Sequence, residues 1–142
     1  MSFQVRISVR VYELDLNGHL GGAAYIHYAD HVRWQLCRAA GVSFDELRAS
    51  GVGPINLETT VRYHRELRAD DEVDISCTFV FGEGKTFRVQ QQFRRSDGTL
   101  AAEVISVGGL LDLKDRKLVP DPASHWRAVA RSPELLGLRT ES

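Results

Sequence analysis

Tyr25-Ile26-His27-Tyr28-Ala29-Asp30-His31-Val32-Arg33-Trp34-Gln35-Leu36-Cys37-Arg38-Ala39-Ala40 is the stretch that decides the fold. Within it Tyr25, Tyr28, Ala29, Val32, Leu36, Ala39 and Ala40 recur at steps of three and four, the spacing of an amphipathic helix with one buried stripe. Gly41 then offers the left-handed cap that ends such a helix. A capping box, Ser43 with Glu46, starts a short helical turn that should end by Gly51.

Outward from this helix the period drops to two. Before it, Phe3, Val5, Ile7, Val9 and Val11 alternate with Gln4, Arg6, Ser8 and Arg10, the pattern of a half-buried strand. After it come Ile55 to Tyr63, Val73 to Phe81, and a strand carrying Phe87, Val89, Gln91 and Phe93. A last strand from about Leu100 to Leu113 is apolar on both faces, as a central strand is. Gly82-Glu83-Gly84 and Ser96-Asp97-Gly98 supply tight turns between the last three strands. One helix followed by a run of antiparallel strands predicts an α+β domain over residues 1–122, with the helix covering one sheet face. Residues 123–142 read as a polar tail with short helical segments, ordered by Trp126 and by the stretch from Ser132-Pro133 to Gly137. A sheet with free edges and one covering helix predicts a homo-oligomer, a dimer or a tetramer.

A chain of 142 residues fits one domain, and 43% apolar with 26% charged residues is the balance of a globular protein rather than a disordered one. Its 18 basic and 19 acidic residues leave a net charge of −1, which gives no drive toward nucleic acid. No apolar run approaches the ~18 residues of a membrane span, and Met1 to Arg10 lacks the pattern of a signal peptide, so no membrane partner and a cytoplasmic location are expected. Cys37 and Cys77 form no paired motif and read as packing residues. His27 and His31 have the helical spacing of zinc ligands, but no acidic residue follows His27 as in H-E-x-x-H, so neither metal nor cofactor is expected. With Trp34 and Arg38 they fall opposite the apolar stripe, which reads as an interface with another subunit or with the tail.

The chemistry gathers between the first strand and the helix, in Glu13-Leu14-Asp15-Leu16-Asn17-Gly18-His19-Leu20-Gly21-Gly22. Asp15, Asn17 and His19 put a carboxylate, an amide and an imidazole at alternate positions just before a helix start. Such a set can supply a base or nucleophile beside backbone N–H donors. Gly21 and Gly22 would let the backbone approach a ligand closely. A plainer reading has Asp15 and Asn17 closing the loop and capping the helix.

Asp15-Leu16-Asn17-Gly18-His19, with Tyr25 near the start of the helix, resembles the signature of hotdog-fold thioesterases of the 4-hydroxybenzoyl-CoA thioesterase type. The D-x-N-x-H form is closest to acyl-acyl-carrier-protein thioesterases, and Tyr63-His64-Arg65-Glu66 resembles their Tyr-x-Arg-Glu segment. The resemblance runs in element order over about residues 3 to 120. It implies an antiparallel sheet wrapped around one long central helix and hydrolysis of acyl-CoA or acyl-carrier-protein thioesters. It also implies catalytic roles for Asp15, Asn17, His19 and Glu66, substrate binding by Gly21, Gly22 and Tyr25, and an acyl pocket completed by a second subunit. Gly21-Gly22 stands where the family usually has Asn-Asn, which keeps a non-catalytic acyl-binding module as an alternative. A hydratase of the D-x-N-P-x-H type fits less well, because Asp15 and His19 are too close and the Pro is missing.

Overall fold

The computed structural model describes residues 3–139. Its strands are β1 (Phe3–Ser8), β2 (Val52–Tyr63), β3 (Glu72–Phe81), β4 (Thr86–Arg95) and β5 (Leu100–Asp112), and its helices are α1 (Gly22–Ala39), α2 (Phe44–Ala49) and α3 (Pro122–Val129). The strands form one antiparallel sheet in the order β1-β3-β4-β5-β2. Consecutive strands joined by the two glycine turns are neighbours, as the sequence implied. β2 instead crosses to pair with β5, and β1 pairs with β3, so both lie at sheet edges.

α1 lies on one face of the sheet. Tyr25, Tyr28, Ala29, Val32, Leu36 and Cys37 are its buried positions, and Val73, Ile75, Val89, Phe93, Ala102 and Val104 of the sheet share the same core. The helix begins at Gly22 rather than Tyr25, and Ala39 is exposed while Cys37 takes a place in the stripe. Gln91 and Ser106 are the buried polar residues among those described, and Gln91 is the larger. Its Nε2 donates to the Ala29 carbonyl over 2.9 Å, which offsets the cost of burying an amide beneath the helix. α2 has Ser43 as its N-cap, Oγ accepting from the Glu46 N–H at 3.1 Å, but the reciprocal half of the expected capping box is not made, because the Ser43 N–H donates to the Val129 carbonyl at 3.0 Å.

Two strand expectations need correction. Val11 does not continue β1: it opens a 3-10 turn, Val11–Glu13, and is 73% exposed, because the chain must leave the sheet there to form the loop ahead of α1. In β2 a bulge between Asn56 and Glu58 breaks the alternation. The extra residue reverses the phase, so Asn56 rather than Ile55 shares a face with Thr59, and Asn56 Nδ2 donates to Thr59 Oγ1 at 2.6 Å. The tail packs against the body: Trp126 of α3 and Leu136 of a 3-10 turn, Pro133–Leu136, are buried. Among the described residues no helix is long and apolar enough to cross a membrane.

Candidate active site

The loop before α1 is closed by its own carboxylate. Asp15 Oδ1 accepts from the backbone N–H of Asn17 at 2.9 Å and of His19 at 3.2 Å, and the Asp15 N–H donates to the His19 carbonyl at 2.7 Å. Gly18 turns the chain at φ +77°, a conformation open to glycine. The loop-closing role of Asp15 is therefore real, and it uses one carboxylate oxygen; Oδ2 takes no protein donor among the described residues. Helix capping is not part of it. The N-cap is Gly21, without a side-chain cap, and the first-turn N–H groups at Gly22 and Ala23 have no intrahelical acceptor.

A second segment is stitched to this loop. The Leu20 N–H donates to the Leu67 carbonyl at 2.6 Å, so the end of the loop runs beside the connection that follows β2. The N–H groups of His64 and Arg65 both donate to the Ala101 carbonyl, at 2.8 and 3.0 Å, and Arg95 Nη2 donates to the Glu66 carbonyl. These bonds hold the Glu66 side chain where its Oε2 lies 3.5 Å from His19 Nε2, while Oε1 accepts from Arg68 Nη2 at 2.6 Å. The Arg68 hydrogen bond, and then the nearby His19, keep the Glu66 carboxyl below the usual carboxylate range.

Asp15, His19, Leu20, Gly22, Tyr25, Tyr63, His64, Arg65 and Glu66 line one cleft of about 360 Å³ at the N-terminal end of α1. Five residues singled out from the sequence thus meet: Asp15, His19, Gly22, Tyr25 and Glu66. Asn17 and Gly21 are not in its wall. Asn17 is exposed and joins through its backbone bond to Asp15, and the Gly21 N–H donates to the Glu13 carbonyl at 2.9 Å. Burial, followed by the neighbouring Tyr63 and Asp15, pushes the Tyr25 hydroxyl up to about 12, so at neutral pH it is a proton-bearing donor. Tyr63, His64 and Arg65, which the sequence placed in the Tyr-x-Arg-Glu match without giving them a role, line the cleft as well. The Tyr63 ring stands edge-on to Tyr25 at 5.0 Å, and a Cβ built on Gly22 would lie 3.4 Å from the Tyr63 hydroxyl.

Further along α1 a second hollow of about 380 Å³ has apolar walls that include Trp34, Phe44, Phe79, Phe87 and Trp126. Trp34, 53% exposed, stacks on Phe44 with ring centroids 5.1 Å apart, so one face of the expected interface residue already has an intramolecular partner. His27 and His31 are exposed, and no grouping of side chains among the described residues could hold a metal ion.

One long helix against a five-stranded antiparallel sheet, with a polar cleft at the helix N-terminus, defines a hotdog-fold protein. The sequence profile of the thioesterase-like superfamily matches residues 9–131, and the chain belongs to that family. It is 24% identical over 115 residues to a long-chain acyl-CoA thioesterase of Escherichia coli strain K12, covering 80% of this chain and 86% of that protein. It is 33% identical over 69 residues to a chloroplastic acyl-acyl carrier protein thioesterase of Arabidopsis thaliana, covering 49% of this chain but 36% of that protein. A crystal structure of a probable thioesterase from Escherichia coli superposes with a TM-score of 0.76 at 24% identity, over 82% of this chain and 88% of that one.

Proposed function

We propose that the chain is an acyl-thioester hydrolase acting on acyl-CoA or acyl-carrier-protein substrates, with Asp15 as the group that attacks the thioester or activates water. The observation that carries this reading is the convergence of two separated segments on one cleft: the Asp15–His19 loop and the Glu66 segment, joined by the Leu20–Leu67 hydrogen bond and the 3.5 Å approach of His19 to Glu66. The thioester carbonyl oxygen is received at the first turn of α1, where the Gly22 and Ala23 N–H groups stabilise the charge that builds on it. Water, activated by Asp15, adds to the carbonyl carbon. The C–S bond then breaks, releasing the free acid and the thiol, to which the water proton is returned. His19, held by Glu66, orients the water or Asp15, and Asn17 fixes the carboxylate through its backbone N–H. Tyr25 and Gly22 shape the acyl entrance, and Gly21 ties the helix start to Glu13.

The active form is a homodimer or a dimer of dimers. β2 is an edge strand exposed along most of its length, with Leu57 48% and Tyr63 59% exposed, and a second copy would cover it. Two free, buried thiols fit a reducing cytoplasm. Incubating the purified protein with a panel of acyl-CoAs and a thiol-trapping dye is the test of activity. Enzyme-dependent thiol release supports the hydrolase, and binding without release would make the chain an acyl-binding module. Light scattering that gave a monomer would contradict the assembly.

A further inference from the structure

The loop that carries Asp15 is a small hairpin, residues 14–20. Its rungs are the Leu14–Leu20 bridge and the Asp15 N–H to the His19 carbonyl at 2.7 Å, and at its neck the Gly21 N–H donates to the Glu13 carbonyl at 2.9 Å. Bonds of this kind close a hairpin upon itself without setting its tilt against the body of the protein. Attachments to the body do that. On one side the Leu20–Leu67 hydrogen bond ties the hairpin toward the Glu66 segment, and on the other Glu13 Oε1 accepts from the Tyr28 hydroxyl of α1.

Glu13 therefore grips the helix at two heights. The Gly21 N–H, at the N-cap, donates to its backbone carbonyl, and the Tyr28 hydroxyl donates to its side chain. At this sequence spacing Gly21 and Tyr28 lie on one face of the helix, about 10 Å apart along its axis. Tyr28 is 4% exposed and the Glu13 side chain 16%, so little water competes for the bond, and a carboxylate acceptor makes it of the stronger, charge-assisted kind. The same Oε1 accepts from the Arg10 N–H at 3.0 Å, which draws the 3-10 turn ahead of the hairpin into the same contact. Burial, and then the Glu13 hydrogen bond, push the Tyr28 hydroxyl above the ordinary tyrosine range, so it remains a donor at neutral pH. Neither residue lines the cleft.

Resting on the hydrolase reading above, we infer that Glu13 and Tyr28 are positioning residues: their hydrogen bond sets the Asp15 hairpin against the first turn of α1, so that the carboxylate and the Gly22 and Ala23 N–H groups address the same carbonyl. A core tyrosine that only satisfied its own hydroxyl would leave turnover untouched when the bond was removed. A tilted hairpin instead moves Asp15 away from those N–H groups, and a misplacement of about 1 Å can cost ~10²-fold in rate.

The test is steady-state kinetics on the best acyl-CoA with Tyr28→Phe, Glu13→Ala, Glu13→Gln and the Glu13→Ala/Tyr28→Phe double variant. Tyr28→Phe removes the donor and keeps the ring, and it is expected to lower kcat about tenfold with KM within about twofold of native. Glu13→Ala should match or exceed that loss, and Glu13→Gln, whose amide oxygen still accepts, should recover most of it. The double variant should be no slower than Glu13→Ala alone, since both substitutions remove one bond. Native kcat in Tyr28→Phe, a loss carried in KM, Glu13→Gln no better than Glu13→Ala, or losses that multiply in the double variant would overturn the inference and leave the hydrolase standing. Should Glu13→Ala fail to fold, the pair Tyr28→Phe and Glu13→Gln decides: a slow first variant beside a near-native second supports the inference, and equal rates overturn it. If the native protein hydrolyses no thioester, the hydrolase reading fails, and amide hydrogen exchange decides whether the bond holds the hairpin. The Asn17, His19 and Gly21 amides should then exchange about tenfold faster in Tyr28→Phe while those of β4 and β5 stay unchanged. No change, or an equal increase throughout, would overturn the inference.

Discussion

The two hollows along α1 are built in opposite ways. At its N-terminal end the cleft is polar and made from two short runs of chain, residues 15–25 and 63–66, held by hydrogen bonds such as those from the Asn17 and His19 N–H groups to Asp15. Farther along, the aromatic hollow is assembled from scattered residues of α1, α2, four of the strands and α3, held by ring contacts such as Trp34 on Phe44 and Trp126 against Phe79 and Phe87. Directional bonds fix atoms to within tenths of an ångström, as bond-making chemistry needs. Packed rings fix a shape. On the proposed hydrolase reading, chemistry would fall at one end of the helix and selection among acyl chains at the other.

That division can be broken from the aromatic end. Ser106→Phe puts a ring into the hollow, and the loss of kcat/KM should grow with acyl length to about 10²-fold for chains that reach it. A uniform loss across all lengths would show that the hollow does not hold the acyl chain. Overpacking costs about 1–3 kcal/mol, so the melting temperature should be followed alongside.

A smaller effect is expected at the polar end from Glu66→Gln, a loss of about tenfold or less, since the amide keeps the shape beside His19 but not the charge. Because Arg68 and His19 hold the Glu66 carboxyl low, its ionised form persists through the ordinary carboxylate range, and the contact is lost only as pH falls through that lowered value. The acid limb of the pH–rate profile should therefore survive Glu66→Gln. Its disappearance would mean that Glu66 itself carries the titration.

The least change is expected at the two cysteines. Burial pushes the Cys37 thiol up to about 11 and the Cys77 thiol up to about 12, so both stay protonated and unreactive at neutral pH. Thiol-trapping dye should register substrate-derived thiol alone until the protein is unfolded. Rapid labelling of the folded protein would show that Cys37, on the wall of the aromatic hollow, is open to solvent.

The same contrast explains what could be read from the sequence. Asp15 to His19 and Tyr63 to Glu66 are each contiguous, so their chemistry stood out, and the hydrophobic periods gave one helix and five strands in order. The contact between His19 and Glu66 was out of reach, since it depends on the crossing of β2 to β5 and on the Leu20–Leu67 bond. No local pattern could have gathered Phe44, Phe79 and Phe87 around Trp126. The bulge in β2 was hidden as well, because Ile55 and Leu57 continue the apolar alternation that the backbone does not follow.

The central claim is that Asp15 drives thioester hydrolysis, and the most direct measurement compares native protein and Asp15→Asn on the best thioester, with thermal unfolding of both. The amide can still close the loop through its carbonyl oxygen, so folding should be retained while turnover falls ~10²–10⁴-fold. A loss of less than about tenfold, in a variant that unfolds at the native temperature, would contradict the account.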